Sequence, residues 1–149
     1  MYRMIHNYSL TLFVLFLISA ATGCTVQFVA EYDATIKEEI VQTAKKVDKF
    51  WGSLLDHDEA NRPYETFKDQ YNEIESDIRG LVMKNEIRPL NKESTEQAKN
   101  TLELWVQDRE LHKKNDGFSN FEAKRHREQY VRLFTAMAKG EEAKKMEAQ

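Results

Sequence analysis

The chain contains 149 residues, which is room for one domain of ordinary size. Its 5 glycines and its 32% of charged residues argue against a glycine-rich phosphate loop and against a many-turned β-sandwich. The single cysteine excludes an internal disulfide framework and a thiolate zinc cluster, and the net charge of −3 lacks the basic excess of a nucleic-acid-binding protein.

Residues 1–23 have the pattern of a lipoprotein signal peptide. Arg3 precedes an apolar run over residues 10–18, and small residues then lead to Cys24. The run is shorter than the about 20 residues that a transmembrane helix needs, and an uncleaved signal anchor is the alternative interpretation. The segment Ala21-Thr22-Gly23-Cys24 resembles the lipobox of bacterial lipoproteins, with Ala21 where leucine is usual. The resemblance implies that the Cys24 sulfur carries a diacylglyceryl group.

Acylation of Cys24 would hold the mature chain at a membrane. Each buried methylene contributes about 0.8 kcal/mol, so several acyl chains make an effectively permanent anchor. Thr25 stands where retention in the inner membrane would require an aspartate. By resemblance to Gram-negative lipoproteins, this implies an outer-membrane protein of the bacterial cell envelope that faces the periplasm. Residues 24–33 are then the lipidated cysteine and a short extended linker.

Two helices are predicted after this linker. Asp33 or Thr35 is suited to cap the first helix, because either side chain offers an oxygen to the free N–H groups. Pro63 suits the first turn of the second helix, and Pro89 ends it because proline lacks a donor. Apolar residues recur every three or four positions in both. The stripes are Ile36, Ile40, Ala44, Val47, Trp51 and Leu54, and then Tyr64, Phe67, Tyr71, Ile74, Ile78 and Leu81.

Two further helices are predicted in the second half of the chain. Asn91 or Ser94 starts the third helix, whose stripe is the least apolar and is expected to be partly exposed. Gly117 is suited to a left-handed cap at its end. Ser119 and Glu122 have the spacing of a capping box that opens the fourth helix. The stripes are Ala98, Leu102, Trp105, Arg109 and His112, and then Phe121, Tyr130, Phe134 and Met137.

These elements predict an all-α fold, an up-down-up-down four-helix bundle over residues 34–139, because short loops join helices of similar length. The signal peptide and the extended linker precede the bundle. Residues 140–149 are rich in charge, and we expect them to form a flexible tail.

Several short matches resemble a group of small bacterial lipoproteins. The matching residues are Cys24, Phe28-Val29, Tyr32-Asp33, the segment Arg88-Pro89-Leu90-Asn91-Lys92-Glu93-Ser94-Thr95-Glu96-Gln97, and Leu111-His112. The resemblance implies a lipid-anchored helical domain, and it implies no catalytic activity, cofactor or site residue.

The loops after the first and third helices meet at the end of such a bundle that lies away from the membrane. His57, His112 and His126 fall at this end, and with Asp56, Asp58 and Glu59 they are candidates for a metal site, because imidazole and carboxylate groups ligate metals. Their spacings match no ligand motif, so solvated or helix-capping histidines are the favoured interpretation.

Basic residues gather at the same end. They are Lys113, Lys114, Lys124, Arg125 and Arg127. They are candidates for docking a periplasmic or envelope protein, and Trp105 is a further candidate if it is exposed on the third helix. The alternative is a solvated face with weak ion pairs.

No sequence pattern for catalysis is present. The chain lacks a nucleophile elbow, an inward Glu-x-x-His motif and a haem-attachment motif, so we predict no enzymatic activity and no cofactor. The favoured function is a lipid-anchored interaction or scaffold module that does not bind nucleic acid. The alternative is a carrier of a small ligand or a metal, which requires a cavity lined by Trp51, Tyr64, Tyr71 and Tyr130.

Overall fold

The computed structural model describes residues 27–147, with side chains as far as residue 146. These residues form four α-helices, and a 3-10 turn over Glu59–Asn61 lies between the first two. The helices are α1 (Ala34–Leu55), α2 (Tyr64–Glu86), α3 (Lys92–Asn115) and α4 (Asn120–Glu147). The predicted signal peptide, residues 1–23, and the lipidation site Cys24 lie outside the described residues.

The helices pack as the predicted all-α bundle. α1 packs most closely on α4 and α2 on α3, while α1–α2 and α3–α4 contacts complete the ring. Consecutive helices run in opposite directions because short loops join them. We call the end at which α1 begins and α4 finishes the proximal end, and the opposite end the distal end. None of the described helices is long and apolar enough to cross a bilayer.

The helix boundaries follow the local chemistry of the sequence. Asp33, and not Thr35, caps α1, because its Oδ1 accepts the N–H groups of Thr35 at 2.8 Å and Ile36 at 3.2 Å. The capping box of α4 is confirmed. Ser119 N–H donates to Glu122 Oε2 at 2.9 Å, and Glu122 N–H donates to Ser119 Oγ at 3.2 Å. These bonds from Ser119 hold the pKa of Glu122 below its ordinary value.

The prediction that Gly117 forms the left-handed cap of α3 is wrong. Asp116 occupies that conformation, with φ of 52°. Aspartate tolerates positive φ better than most residues because its short polar side chain bonds locally. Here the Asp116 carboxylate also accepts the Tyr64 N–H at 2.8 Å, which is the first N–H of α2.

The core is a set of aromatic rings in contact with one another. The predicted stripes of α1 and α2 are buried, apart from Ala44, which is half-buried. Phe50 meets Trp51, Tyr71 and Trp105 edge-on, with ring centroids 5.2, 4.5 and 5.1 Å apart. Such edge-to-face pairs are the favoured arrangement of aromatic quadrupoles.

The expected partial exposure of the α3 stripe does not extend to Trp105. This side chain is completely buried, and its Nε1 donates to the Tyr71 carbonyl at 3.1 Å. The buried face of α3 carries polar residues at core positions, whereas Leu102 and Arg109 of the predicted stripe are half-buried. The face consists of Thr95, Ala98, Thr101, Trp105, Asp108 and His112. Phe121, predicted to be buried, is 73% exposed on the first turn of α4.

The predicted flexible tail over residues 140–149 is also wrong as far as residue 147, because α4 continues to Glu147. Glu141 is 1% exposed, and its carboxylate accepts hydrogen bonds from Arg88 at 3.0 and 3.1 Å and from Lys144 at 2.6 Å. It also accepts the Asp33 N–H at 2.9 Å. Burial raises the pKa of Glu141, but these donors outweigh it and the pKa lies below its ordinary value. Charged residues that look solvated in sequence therefore form a buried cluster.

This proximal cluster should dominate the stability of the last turns of α4. We expect Glu141→Ala to lower the free energy of unfolding by about 3 kcal/mol, because it leaves the buried Lys144 and the half-buried Arg88 without their carboxylate. The matched control is Glu142→Ala. Glu142 pairs with Lys37 and Lys145, but its side chain is 43% exposed, so the loss should stay below about 1 kcal/mol. Urea unfolding measures both, and equal losses would contradict the assignment.

Candidate functional site

The two distal loops are joined by one buried cation, Arg62. This residue is 1% exposed and makes four hydrogen bonds without a carboxylate partner. Its Nε and Nη2 donate to the His57 carbonyl at 3.0 and 2.7 Å, within its own loop. Its Nη1 donates to the Phe118 carbonyl at 2.9 Å and its Nη2 to Asn120 Oδ1 at 2.6 Å, across to the other loop. The planar guanidinium fork thus fixes the positions of both loops at once.

His112 is hydrogen-bonded to the backbone of Arg62 in the same arrangement. Its Nε2 lies 2.7 Å from the Arg62 carbonyl, and its Nδ1 lies 3.1 Å from the Tyr71 hydroxyl. A carbonyl oxygen only accepts, so Nε2 carries the proton and the Tyr71 hydroxyl donates to Nδ1. Burial lowers the pKa of His112, against smaller opposing effects of the Arg62 carbonyl and Asp116. His112 is therefore a neutral structural group at this site.

His126 lies in a second buried polar group, on the other side of Phe118. Its ring stacks on Trp51, with centroids 5.2 Å apart, and its Nδ1 lies 3.0 Å from Asp108 Oδ2 without the alignment of a hydrogen bond. The Tyr130 hydroxyl donates to the same carboxylate at 2.9 Å. Burial and the Asp108 charge raise the pKa of Tyr130, so the phenol stays protonated and keeps donating.

The three histidines do not form a metal site. His57 is exposed, while His112 and His126 are buried and separated by the ring of Phe118, whose centroid lies 5.0 and 5.5 Å from theirs. Over residues 27–146 no group of three or more His, Cys, Asp and Glu side chains is arranged to hold a metal ion.

Four of the five predicted basic docking residues are exposed at the distal end. Lys113 and Lys114 lie in the last turn of α3, and Lys124 and Arg125 lie early in α4. No carboxylate of residues 27–146 lies within 4.0 Å of their side-chain nitrogens. We call these four residues the distal basic patch.

Three acidic residues lie at the same end of the bundle, in the loop that Arg62 holds. Asp56, Asp58 and Glu59 are exposed, and within residues 27–146 none of them has a basic side chain within ion-pair distance. These carboxylates are not neutralised by an ion pair within residues 27–146, so their electrostatic field can act on a binding partner.

The other two docking candidates do not belong to this patch. Arg127 donates from Nε and Nη2 to Asp48 of α1 at 2.6 and 2.8 Å. This bidentate pair raises the pKa of Arg127 and lowers that of Asp48. Trp105 is buried in the core and presents no surface.

A surface groove runs between α1 and α4. It has a volume of about 400 Å³, an apolar floor and a rim that includes Arg127. Its lining includes Val41, Ala44, Phe134, Val131, Ala138, Lys45 and Lys49. This groove is not the predicted cavity lined by Trp51, Tyr64, Tyr71 and Tyr130. Tyr130 is the only one of these four residues that lines it. The others pack on neighbouring rings in the core, as Tyr64 does on Tyr71.

Sequence reasoning missed the residues that organise the site. Arg62, Asp108 and Asp116 were not singled out. The spacing of Trp105, Asp108 and His112 by three and four residues carried a signal, since it places the aspartate on the buried face of α3.

No protein-family model matches the chain, and no curated protein and no solved structure matches it.

Arg62 should be the residue on which the distal loops depend. We expect Arg62→Met to lower the free energy of unfolding by about 3 kcal/mol, because it leaves three acceptors without their charged donor. Amide exchange should also accelerate over residues 56–62 and 116–120. The control is Arg79→Met, since the Arg79 side chain is 57% exposed and pairs within its own helix, at a cost below about 1 kcal/mol. Similar losses in the two variants would show that Arg62 does not hold the loops.

His112 should make the protein less stable in mild acid. Its pKa is lowered in the folded state, so stability is complete above the ordinary pKa of 6.5 and is lost as the pH falls from there toward the folded-state value. The loss is about 1.4 kcal/mol for each unit by which the pKa is lowered. Urea unfolding at a series of pH values should show a shallower dependence in His112→Gln. The exposed-histidine control His57→Gln should keep the dependence of the parent, and a steep dependence in His112→Gln would contradict the assignment.

Proposed function

We propose that the protein is a lipid-anchored, non-catalytic docking module of the bacterial cell envelope, held at the outer membrane by acylated Cys24 and facing the periplasm. The lipobox-like segment before Cys24 and the resemblance to small bacterial lipoproteins support the anchor. The bundle then projects from the membrane, and its distal end is the part most accessible to a soluble partner.

The observation that carries the docking role is the distal basic patch. Most cations elsewhere on the bundle are paired with carboxylates, as Lys46 is with Glu73 and Asp77, both at 2.8 Å. The four patch residues have no such partner within residues 27–146 and lie on both sides of one loop. Exposed charges of one sign attract and orient a partner of the opposite sign.

The rigidity of this end also supports docking. Arg62 and Asp116 tie the two loops together, so the patch does not have to be ordered when a partner binds. A preorganised surface loses less conformational freedom on association than a mobile one. The expected partner is a protein with an acidic surface, and Phe121, exposed beside the patch, adds an apolar contact.

A carrier of a small ligand is the second candidate, and the α1–α4 groove is the observation that favours it. Its apolar floor and the lysines Lys45 and Lys49 suit a small apolar molecule with an acidic group.

Cross-linking in living cells should locate the docking surface. A photoreactive residue replaces Phe121 beside the patch, or Glu103 on an exposed side of α3 as the control. We expect one defined cross-linked protein from position 121 and none from position 103. Lys124→Glu with Arg125→Glu should reduce the product by about tenfold or more, because both attractive charges become repulsive.

The charge-matched control is Lys92→Glu with Lys139→Glu, which reverses two exposed lysines outside the patch and should leave the product unchanged. Loss in both double variants, or in neither, would contradict distal docking. Mass spectrometry of the purified protein tests the anchor in parallel, since the first residue should be an acylated Cys24.

A further inference from the structure

The large apolar side chains that are exposed on the bundle concentrate at its proximal end. Within residues 27–146, seven large hydrophobic residues are exposed, and five of them belong to the linker, the last turn of α2, the α2–α3 connection or the end of α4. The five are Phe28 at 79%, Met83 at 65%, Ile87 at 82%, Leu90 at 53% and Met146 at 76% exposed. Of the other two, Phe121 is distal and Val131 lines the α1–α4 groove. Exposed apolar side chains gathered on one surface indicate a contact with an apolar partner.

The loop that contains Ile87 and Leu90 has a conformation that leaves both side chains exposed. Leu90 has a positive φ of 56°, a conformation that residues other than glycine rarely adopt. The Leu90 carbonyl accepts the Ala30 N–H at 2.9 Å, and Asn91 next to it donates to Asn85 Oδ1 at 2.8 Å. The surrounding contacts thus maintain a strained residue whose apolar side chain remains exposed.

Several charged groups at this end are paired with one another. The carboxylate of Glu141 pairs with Arg88 and Lys144. Lys37 and Lys145 both pair with Glu142. Lys84 pairs with Glu39. Paired charges oppose approach to lipid less than free charges do, since their fields largely cancel.

The linker joins the rigid bundle very close to the predicted anchor. Ala30 is 4% exposed, its N–H is bonded to Leu90, and Arg88 donates to the Glu31 carbonyl. The chain therefore belongs to the bundle from Ala30 onward. Ala30 comes six positions after Cys24, a stretch that spans at most about 20 Å when extended. A bilayer that holds Cys24 lies within reach of the proximal end.

We propose that the proximal end is a second membrane-binding surface, on which Phe28, Ile87 and Leu90 insert into the lipid interface beside the acyl chains of Cys24. This inference rests on the proposed function, because the lipid anchor supplies the bilayer within about 20 Å. The occupant is a lipid bilayer, since the tether keeps this end against the membrane, where phenylalanine, leucine and isoleucine are suited to the acyl boundary.

Insertion fixes the orientation of the bundle. A module held by Cys24 alone would pivot about its linker, whereas contacts from the linker, the α2–α3 loop and α4 define a plane. The bundle axis then stands away from the membrane. α2 is 23 residues long, so the distal basic patch lies about 35 Å from the lipid surface.

The test compares labelled positions of similar exposure at the two ends. Cys24 is the single cysteine and acylation consumes its thiol, so an introduced cysteine is labelled alone. Ile87→Cys and Leu90→Cys report on the proximal end, and Phe121→Cys is the distal control. Each full-length precursor is expressed and processed in cells, labelled with an environment-sensitive fluorophore and reconstituted into phosphatidylethanolamine and phosphatidylglycerol vesicles, with or without a spin-labelled acyl-chain quencher.

We expect quenching at positions 87 and 90 to exceed that at position 121 by about threefold or more, because only the proximal labels enter the acyl region. Equal quenching at the two ends would overturn the proposal, whether the bundle lies flat or stays off the surface. Mass spectrometry of the same samples separates the two hypotheses. An acylated Cys24 with an unquenched position 87 leaves the anchor standing and removes the insertion, whereas a chain without acyl groups overturns both.

Discussion

A buried charge must find its hydrogen-bond partners inside the protein, and this constraint fixes both ends of the bundle. At the distal end the guanidinium of Arg62 finds carbonyl oxygens of two loops. At the proximal end the carboxylate of Glu141 finds Arg88, Lys144 and the backbone of the linker. Leaving such a group without its partners costs several kcal/mol, so the loops have few alternative positions. The aromatic core between them holds the helices together, and the two buried ions hold the connections.

The sequence was sufficient where the signal is local. The spacing of apolar residues in α1 and α2 predicted both their helices and their buried faces, because a buried helix stripe recurs every three or four residues. The box of Ser119 and Glu122 predicted the start of α4. These interactions involve residues within one or two turns, so a single segment contains all of the information.

The sequence was insufficient where burial depends on a distant partner. The α3 stripe was predicted to be partly exposed because it is the least apolar, and Trp105 to dock a partner if it is exposed, yet Trp105 is buried together with Thr101, Asp108 and His112. Asp108 is acceptable in the core only because Tyr130 donates to it from α4, and Glu141 only because Arg88 approaches from the α2–α3 loop. At the candidate site, four of the predicted basic residues are exposed, as expected of a docking surface. Arg62 was not recognised, because its burial depends on acceptors in a distant loop. A polar residue on a helix shows its partners only in the folded protein.

Both tryptophans illustrate how completely the interior is closed. Trp51 and Trp105 are 0% exposed, and their rings meet nearly at right angles with centroids 6.4 Å apart. The tryptophan emission of the native protein therefore arises from a single shielded pair of indole rings. It will follow denaturation sensitively, but neither indole is exposed to touch a ligand or a lipid at either end of the bundle. An optical titration with a ligand or a lipid therefore needs an added fluorescent label. A change in the intrinsic emission during such a titration would indicate a rearrangement of the core.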